Sequence, residues 1–571
     1  MKSHSTSLIY FFIKSLTTYL ITIFYQNIKV FLSSVYHFPK FYFKFNNKLK
    51  ILERLWKKNS NNENKKEYII MDGYDDSFLY LYTLISHTKK IEKIINLPVI
   101  VFDKNFSLIK KKIYNSFNLK NIIYINSLFF TISVVFRKFK LIYEETNKIF
   151  NIKSCQDLSY TYEGIEISKI GYDDYLRFNM TGTVSDISGL KYYMFKSFLM
   201  SLKINEVASK KNISCFAGKE TQFTPRGNLF QYCLKRNILA YIFFGPFSGS
   251  SIRKYKRFSH RSIPRPYINH RFYLHSLTKK NNFLKKSKDL LDQKFQGKFH
   301  KNEFVDAKYV FLNKKNETKE NVYKKLNFDL NKKLVVLYSH NVFDGVFENR
   351  RKLYIDFYIW MENTIHLLSK NKNINVLIKK HPTEFIHSKI EDITYRALKA
   401  APQNEVSHIK MYPEDLNPIF VKDNADCIIT ARGSAGIDFG CYGIPSVTSC
   451  NTPYSYCGTT NEAKTVKEYR YLIENIHKIK KLDDNQIEKS LVLYYLINFL
   501  DKNDNAFFTE TPAHAPKDYV GFQKDFEYKF LDKIFDKIKK IDDVENTTIY
   551  KKYYKFINSN NYTMFDTDKL L

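Results

Sequence analysis

Two short segments carry residue types suited to binding an anion. Residues 431–447 read ARGSAGIDFGCYGIPSV, and residues 377–385 read LIKKHPTEF. Each follows a run of β-branched residues, which predicts that each lies where a parallel strand ends and the chain turns toward a helix. Open α/β sheets bind their ligands at that edge. We therefore expect the two segments to form one binding site.

The residues of the two segments can contact a phosphate directly. Gly433 and Gly436 flank Ser434 without side-chain bulk, so backbone amides and the start of the next helix can face an anion. Lys380 and His381 offer further donors from the neighbouring strand. Together these five residues predict a phosphate site.

Asp438 lies in the first turn of the helix after Ser434, where its carboxylate can accept hydrogen bonds from ribose hydroxyls. Structural interpretations stand beside these binding roles. Ser434 has the residue type of a helix N-cap. His381 precedes Pro382, which favours an extended turn at the strand end, so a capping or core histidine is the alternative to a ligand-binding one.

Composition sets limits on the fold and on the partners. At 571 residues the chain exceeds the size at which one hydrophobic core stops growing, and its hydrophobic fraction of 44% excludes a disordered chain. The net charge of +34 implies attraction for phosphates, nucleic acid or anionic lipid, although most lysines are expected to be solvated. The seven cysteines form no C-x-x-C pair, which favours a reduced cytosolic setting.

Strand-like runs alternate with helical patterns, which predicts two parallel sheets covered by helices. The first series comprises residues 68–73, 98–102, 121–125, 213–217 and 239–244, and the second comprises residues 333–339, 374–379, 409–411, 427–430 and 445–448. The expected divisions are an N-terminal segment 1–57, a Rossmann-like domain 58–275, an irregular basic linker 276–330, a second Rossmann-like domain 331–480 and a C-terminal helical region 481–571.

Residues 7–34 are strongly apolar and are interrupted only by Lys14, Gln26 and Lys29. No small-residue cleavage site follows, so a cleaved signal peptide is not expected. The uninterrupted run of residues 15–25 is shorter than the roughly 20 residues that span a bilayer. We favour an amphipathic helix that lies on an anionic membrane surface. A core helix of the first domain and a transmembrane helix remain as alternatives.

Two successive α/β domains with a nucleotide-type loop in the second indicate the GT-B arrangement, in which two Rossmann-like domains face a cleft. Further motifs occupy residues 159–177, 337–345 and 453–469. In their order and spacing, across residues 155–475, these motifs resemble the bacterial capsule or surface-polysaccharide biosynthesis family, which is similar to the CMP-Kdo transferases of capsule assembly. The resemblance implies that His381 binds donor phosphate and that Gly433 and Ser434 cradle it. The family more often has Glu where this chain has Asp438.

Sugar transfer needs a carboxylate that deprotonates the acceptor hydroxyl, or that acts as a nucleophile if configuration is retained. The first domain is expected to supply it. The candidates are Asp173, Asp174 and Glu220, with Asp76 and Glu163 as competitors and Arg177 as a possible partner of an anionic sugar. Adjacent aspartates are also common in solvated loops. His340 and Asp344, after the first strand of the second domain, are predicted to be an acid or phosphate-binding pair, or else a stabilised turn.

The sequence thus predicts a glycosyltransferase that moves a sugar from a nucleotide donor, with a CMP-linked acidic sugar favoured, to a capsule or surface polysaccharide or its lipid-linked primer. It is expected on the cytoplasmic face of the membrane and without nucleic acid as a partner. No cofactor or metal is expected, since the D-x-D pattern at residues 566–568 lies in the C-terminal tail and the usual dinucleotide and P-loop motifs are absent. The alternatives are a non-catalytic binding protein for nucleic acid or anionic polysaccharide, and a nucleotide-sugar epimerase.

Overall fold

The computed structural model describes residues 2–57, 65–75, 78–244, 251–262, 277–298, 310–311, 314–348, 351–385, 392–500, 532, 536 and 543–564. The candidate Asp76 and the D-x-D pattern at residues 566–568 lie outside the described residues.

The first domain is built on a six-stranded sheet. Its strands are β1 (Glu67–Asp72), β2 (Val99–Asp103), β3 (Asn121–Tyr124), β4 (Asn212–Gly218), β5 (Leu239–Phe244) and β6 (Ser251–Tyr255). The strand order is β3-β2-β1-β4-β5-β6, and each neighbouring pair is parallel except β5 and β6. The order reverses between β1 and β4, which is the topological switch point at which such sheets bind ligands.

The second domain repeats the same strand order. Its strands are β7 (Lys333–Tyr338), β8 (Ile374–Lys379), β9 (Ile409–Met411), β10 (Cys427–Thr430), β11 (Ser446–Thr448) and β12 (Asn461–Glu462). All pairs are parallel in the order β12-β11-β10-β7-β8-β9, so the switch point lies between β7 and β10. The four residues of β10 are all buried, as expected for a parallel strand covered on both faces. The prediction of two Rossmann-like α/β domains is confirmed.

Helices cover both sheets. Those of the first domain are α1 (Lys2–Lys57), α2 (Phe78–Ile95), α3 (Leu108–Ser116), α4 (Leu128–Arg137), α5 (Phe139–Phe150), α6 (Ile167–Asn179), α7 (Ile187–Ala208) and α8 (Asn228–Lys235). Those that follow are α9 (Lys280–Phe295), α10 (Lys319–Leu326), α11 (Phe357–Ser369), α12 (Ile393–Lys399), α13 (Ile419–Asn424), α14 (Ala435–Gly440), α15 (Val466–Glu474), α16 (Asp484–Tyr495) and α17 (Thr548–Ile557).

The N-terminal helix is longer than the sequence pattern suggests. An amphipathic helix was expected over residues 7–34, whereas α1 continues without a break to Lys57 and includes Pro39. Phe12 and Tyr19 belong to one hydrophobic core cluster of the first domain, and Phe45 belongs to another. Buried residues of α1 recur every three or four positions from Leu8 to Ile23 and again from Phe41 to Leu55, whereas between these two stretches only Ser34 is buried. The helix therefore packs on the folded domain mainly through its two ends.

The segment expected to be an irregular basic linker contains two packed helices, α9 and α10. Phe283, Leu291 and Phe295 on α9 and Tyr323 on α10 belong to the core cluster of the second domain. Their helical spacing was obscured in the sequence by the many lysines between them.

The C-terminal helices are divided between the two domains. Ser287 on α9 donates a hydrogen bond to the carbonyl of Leu491 on α16, which fixes α16 to the second domain. In contrast, Tyr553 on α17 is stacked with His87 of α2, and Lys254 on β6 donates to the carbonyl of Ile557. The chain thus returns to the first domain after completing the second.

Candidate functional site

The two switch points meet at one interdomain cleft. Gly345, in the loop after β7, approaches Gln222, in the loop after β4, so closely that a Cβ atom at position 345 would overlap the Gln222 side chain. The Arg177 guanidinium lies 5.3 Å from the ring centroid of Phe343 and 5.7 Å from that of Phe223. Because these loops follow the carboxyl ends of central strands, the two ligand-binding edges face each other.

Buried hydrogen bonds hold the two domains together beside this cleft. Tyr172 on α6 and Thr183 each donate to Asp356 Oδ2 at 2.6 Å. Asp356 is also the N-cap of α11 and accepts from the backbone N–H of Ile359 at 2.7 Å. One carboxylate therefore fixes both the start of a second-domain helix and its position against the first domain.

His381 is held as a neutral imidazole whose Nε2–H is available for donation. The backbone N–H of Thr383 donates to His381 Nδ1 at 3.2 Å, so the proton of the neutral ring is assigned to Nε2. Burial lowers the pKa of His381 to about 4. The His381 ring lies 6.0 Å from that of His340, which follows the adjacent strand. A neutral imidazole with its proton on Nε2 thus lies at the switch-point edge.

Glu384 fixes the conformation of the loop that carries His381. Its carboxylate accepts from the backbone N–H of His381 at 3.3 Å and from that of Thr394 at 3.0 Å. Burial raises the pKa of Glu384, although these hydrogen bonds oppose the shift. A neutral histidine is therefore presented from a loop with a fixed backbone.

Arg432 organises the loops on either side of the second switch point. Its Nε donates to His340 Nε2 at 3.0 Å, and its terminal nitrogens contact Glu348 at 3.3 Å and the Asp344 carbonyl at 3.1 Å. The side chain of Arg432 is buried, whereas that of Asp344 is 48% exposed. Burial raises the pKa of Asp344 against the effect of Arg432, and Glu348 adds to the increase. Asp344 is thus an accessible carboxyl with raised proton affinity.

The glycine loop after β10 is held in a tight turn by neighbouring hydroxyl groups. Thr430 Oγ1 accepts from the N–H of Gly433 at 3.0 Å, which tightens the turn before α14. Ser434 is exposed, and within the described part of the chain the backbone N–H groups of Ser434 and Ala435 have no hydrogen-bond partner. The Tyr454 hydroxyl donates to the Gly433 carbonyl. A Cβ atom at Gly436 would overlap that hydroxyl, so glycine is required there.

Asp438 and Lys380 are already engaged with other charged groups. Asp438 Oδ2 is 3.1 Å from both Lys294 Nζ and Ser434 Oγ, and its Oδ1 is buried with no partner among the described residues. Lys380 Nζ pairs with Asp392 at 2.9 Å and Glu414 at 3.1 Å. A ribose hydroxyl could reach Asp438 only if its buried Oδ1 became accessible, and Lys380 would have to leave its ion pairs to reach a phosphate.

The opposite wall of the cleft carries a cluster centred on Arg226. The Arg226 guanidinium pairs at 2.9 Å with Asp72 at the end of β1, with Asp75, and with Glu220 after β4. Lys219 is also 2.9 Å from Asp75. Burial acts to raise the pKa of Glu220, but Arg226 and Lys219 outweigh it and the pKa is lowered. Glu220 is 35% exposed and stays ionised, whereas Asp72 is fully buried.

The predicted candidates Asp173 and Asp174 are buried within α6 and do not line a solvent-filled loop. Asp173 accepts from the backbone N–H of Phe347 at 3.2 Å, and Asp174 accepts from that of Thr224 at 3.0 Å. Both carboxylates therefore fix loops that border the cleft. Glu163 lies elsewhere, 50% exposed beside Arg236.

Two central residues were missed by sequence reasoning. Arg432 stands inside the quoted motif, between the end of β10 and Gly433, so its position after a strand was a usable signal. Arg226 follows Pro225 in a short turn with no periodic pattern, and its three carboxylate partners come from distant parts of the sequence. In the residues that the structure describes, no group of three His, Cys, Asp or Glu side chains is arranged to hold a metal ion.

Comparisons with known proteins found likeness only among solved structures. No protein-family model matches the chain, and no curated protein matches it. KpsC of Thermosulfurimonas dismutans, a beta Kdo 2,4 transferase, is 13% identical, with 50% of this chain and 81% of that chain covered and a TM-score of 0.28. A glycosyltransferase of Rickettsia africae is 10% identical, with 84% and 99% covered and a TM-score of 0.27.

A structure of the UDP-GlcNAc 2-epimerase of Neisseria meningitidis, bound to UDP-GlcNAc, is also similar to this chain. It is 10% identical, with 76% of this chain and all of that chain covered and a TM-score of 0.22. At such TM-scores and identities, none of these likenesses carries an argument about the reaction.

Proposed function

We propose that the protein is a glycosyltransferase that moves a sugar from a nucleotide donor to a capsule or surface polysaccharide, or to its lipid-linked primer. The observation that supports this function best is the opposition of two unlike switch points across one cleft. The second-domain edge presents the His381 Nε2–H and unpaired amides after Gly433, while the first-domain edge presents Glu220. N–H groups that can donate hydrogen bonds to a phosphate on one side of the cleft therefore face a carboxylate on the other. Transfer of a sugar from a phosphate requires both kinds of group.

In this reaction the acceptor oxygen bonds to the anomeric carbon of the donor sugar while the bond from that carbon to the phosphate oxygen breaks. The nucleotide leaves with both electrons of the broken bond, so negative charge grows on its phosphate. His381 and the amides of Ser434 and Ala435 are the groups that would stabilise this charge. The proton of the acceptor hydroxyl passes to a carboxylate, for which Glu220 and Asp344 are the accessible candidates.

We favour a CMP-linked acidic sugar as the donor because the sequence motifs resemble those of transferases that use one. Arg177 supports this choice, since its guanidinium lies at the cleft between Phe223 and Phe343 and can contact a sugar carboxylate in a bidentate manner. No resident cofactor is proposed, because the nucleotide sugar is itself the substrate. The proposed location is the cytoplasmic face of the membrane, where such acceptors are extended.

Calorimetric titration of the full chain with CMP, UDP, CDP and GDP tests the donor site. We expect CMP to bind most tightly, and we expect His381→Ala to weaken binding by about tenfold or more because a charge-assisted hydrogen bond is lost. His366→Ala is the matched control, since His366 is exposed on α11. Binding of none of the four nucleotides, or equal binding by His381→Ala, would remove the donor-site assignment.

A second measurement separates transfer from the alternative functions. The protein is incubated with its preferred nucleotide sugar in the absence of acceptor, and the sugar is analysed for inversion at any carbon. Conversion of the donor without acceptor would replace transfer by epimerisation. Salt-sensitive binding of nucleic acid without any nucleotide binding would instead favour a non-catalytic basic protein.

A further inference from the structure

The outward face of α1 exposes large apolar side chains over most of its length. Ile13, Tyr25, Leu32 and Tyr36 are 55%, 62%, 59% and 80% exposed, and the exposed apolar residues extend from Ile9 to Phe43. At 1.5 Å per residue this stretch is about 50 Å long. A surface of that length and about one helix wide has an area on the order of 500 Å², comparable with the largest apolar patches on soluble monomers, which are often functional.

Neighbouring helices carry further exposed apolar side chains. Phe129 and Phe136 on α4 are 86% and 78% exposed, and their i, i+7 spacing places both on one face of the helix. Phe139, at the start of α5, is 52% exposed and its ring lies 5.5 Å from that of Phe12 on α1. We call the exposed apolar residues between Ile9 and Phe43, together with Phe129, Phe136 and Phe139, the apolar strip.

The packing of α1 decides how the strip can meet a membrane. By length and composition alone, α1 is long and apolar enough to cross a bilayer. However, Phe12, Tyr19 and Ile23 are buried in the core of the first domain, and Asn27 donates to the carbonyl of Asn126 at 2.8 Å. A spanning helix would have to remove all of these residues from the domain. The helix can therefore contact lipid only along its outward face.

The charge along α1 favours an anionic partner. Residues 2–52 contain no aspartate or glutamate, whereas Lys14, Lys29 and Lys40 are exposed along the strip and Lys140 is exposed beside Phe139. Long lysine side chains at such positions can reach lipid headgroups while neighbouring apolar residues enter the acyl region. A second copy of the chain is disfavoured, because a symmetric contact through this strip would bring the same lysines together without acidic partners.

We propose that the apolar strip is a docking surface for an anionic lipid bilayer. In this arrangement α1 and α4 lie along the membrane surface, with the rings of Phe129 and Phe136 at the boundary between headgroups and acyl chains. Docking would hold the first domain, and with it Glu220 and the acceptor side of the cleft, next to the bilayer. The use of that position for a lipid-linked acceptor rests on the proposed function, whereas docking itself does not.

Flotation of the full chain with vesicles tests the proposal. The vesicles contain phosphatidylcholine alone or phosphatidylcholine mixed with phosphatidylglycerol. We expect the protein to float with the mixed vesicles and to float much less with the neutral ones or at high salt. The double variant Phe129→Gln, Phe136→Gln removes two exposed rings without emptying the core, and we expect its vesicle affinity to fall by about tenfold or more.

Tyr471→Gln combined with Tyr554→Gln is the matched control, since these tyrosines are 66% and 56% exposed on α15 and α17, away from the strip. This variant should float like the original protein. Equal flotation of the phenylalanine variant and the original, or no flotation of either, would overturn the proposal. A phenylalanine-dependent dimer in light scattering, without flotation, would assign the strip to self-association instead. Titration of the same variants with nucleotide measures the donor site independently. A loss of membrane docking can then be distinguished from a failure of the proposed donor site.

Discussion

Arg432 Nε lies 3.0 Å from His340 Nε2, and this hydrogen bond crosses the switch point between β10 and β7. Since His340 accepts at Nε2, its neutral ring carries the proton on Nδ1. The neighbouring His381 has the opposite arrangement, with its proton on Nε2. Two histidines that follow adjacent strands are thus held in different tautomers by their local partners. Of the two, His381 is the one that has an Nε2–H group, and this group takes part in none of the contacts described above.

The first prediction concerns the guanidinium of Arg432. Arg432→Lys keeps the charge but cannot reproduce the contacts to His340, Glu348 and the Asp344 carbonyl. We expect a loss of about 1 to 3 kcal/mol in the free energy of unfolding, because buried polar groups lose their partners. We also expect nucleotide affinity to fall by about tenfold. Urea unfolding and calorimetric titration measure the two effects.

Arg396→Lys on α12 is the control for that substitution, because Arg396 is exposed and outside the cleft. It should leave both quantities unchanged. If Arg432→Lys lowers stability but preserves nucleotide affinity, Arg432 only stabilises the fold and does not organise the donor site.

The second prediction distinguishes the cleft carboxylates from the buried ones. Glu220→Gln and Asp344→Asn should each be tested for transfer, and we expect the residue that takes the acceptor proton to lose at least about 10²-fold in turnover with donor affinity retained. Asp173→Asn should keep most of the turnover, because an amide oxygen can still accept from the Phe347 N–H. The opposite ranking would return the role of base to Asp173.

The third prediction tests the close packing of the glycine loop. Gly436→Ala would force its new methyl group against the Tyr454 hydroxyl, which holds the Gly433 carbonyl. We expect weaker nucleotide binding because the loop must shift. The double variant Gly436→Ala, Tyr454→Phe removes the hydroxyl and should recover part of the affinity. Additive losses in the double variant would show that the two positions act independently.

The fourth prediction is a pH dependence caused by His381. Its pKa is lowered from 6.5 to about 4 by burial, so between these values the unfolded chain binds more protons at this residue than the folded protein does. The contribution of His381 to stability is therefore lost as the pH falls through about 6.5 toward 4. We expect the Tm of His381→Gln to fall less steeply than that of the original protein across this window. Parallel slopes for the two proteins would show that His381 is not buried as a neutral ring.

The central strands could be predicted because their own residues are enough to identify them as buried strands of a parallel sheet. The runs at Lys333–Tyr338 and Ile374–Lys379 are apolar on both faces, as parallel strands covered by helices must be. The short β12 and the antiparallel β6 were not predicted, since Asn461–Glu462 and Ser251–Tyr255 lack such a run. Each of these two strands forms because it pairs with the outermost strand of a sheet, and its own residues do not indicate a strand.

The candidate site was predictable only in part. His381 and Ser434 both lie at one sheet edge, as the sequence indicated, but the strands that they follow, β8 and β10, are separated by β7 and are not neighbours as predicted. The placement of Asp173 could not be inferred, because its burial depends on Phe347 in the other domain, 174 positions away. Arg226 and its partner Asp72 lie in the same domain but 154 positions apart in the chain. Pairings between such distant residues follow from the folded arrangement and leave no local pattern in the sequence.

The return of α17 to the first domain has a consequence for the covalent connection between the domains. The polypeptide passes from the first domain to the second before β7 and passes back between α16 and α17, so two covalent crossings join them. Because the chain crosses twice, one proteolytic cut in either crossing would leave the two halves covalently tethered.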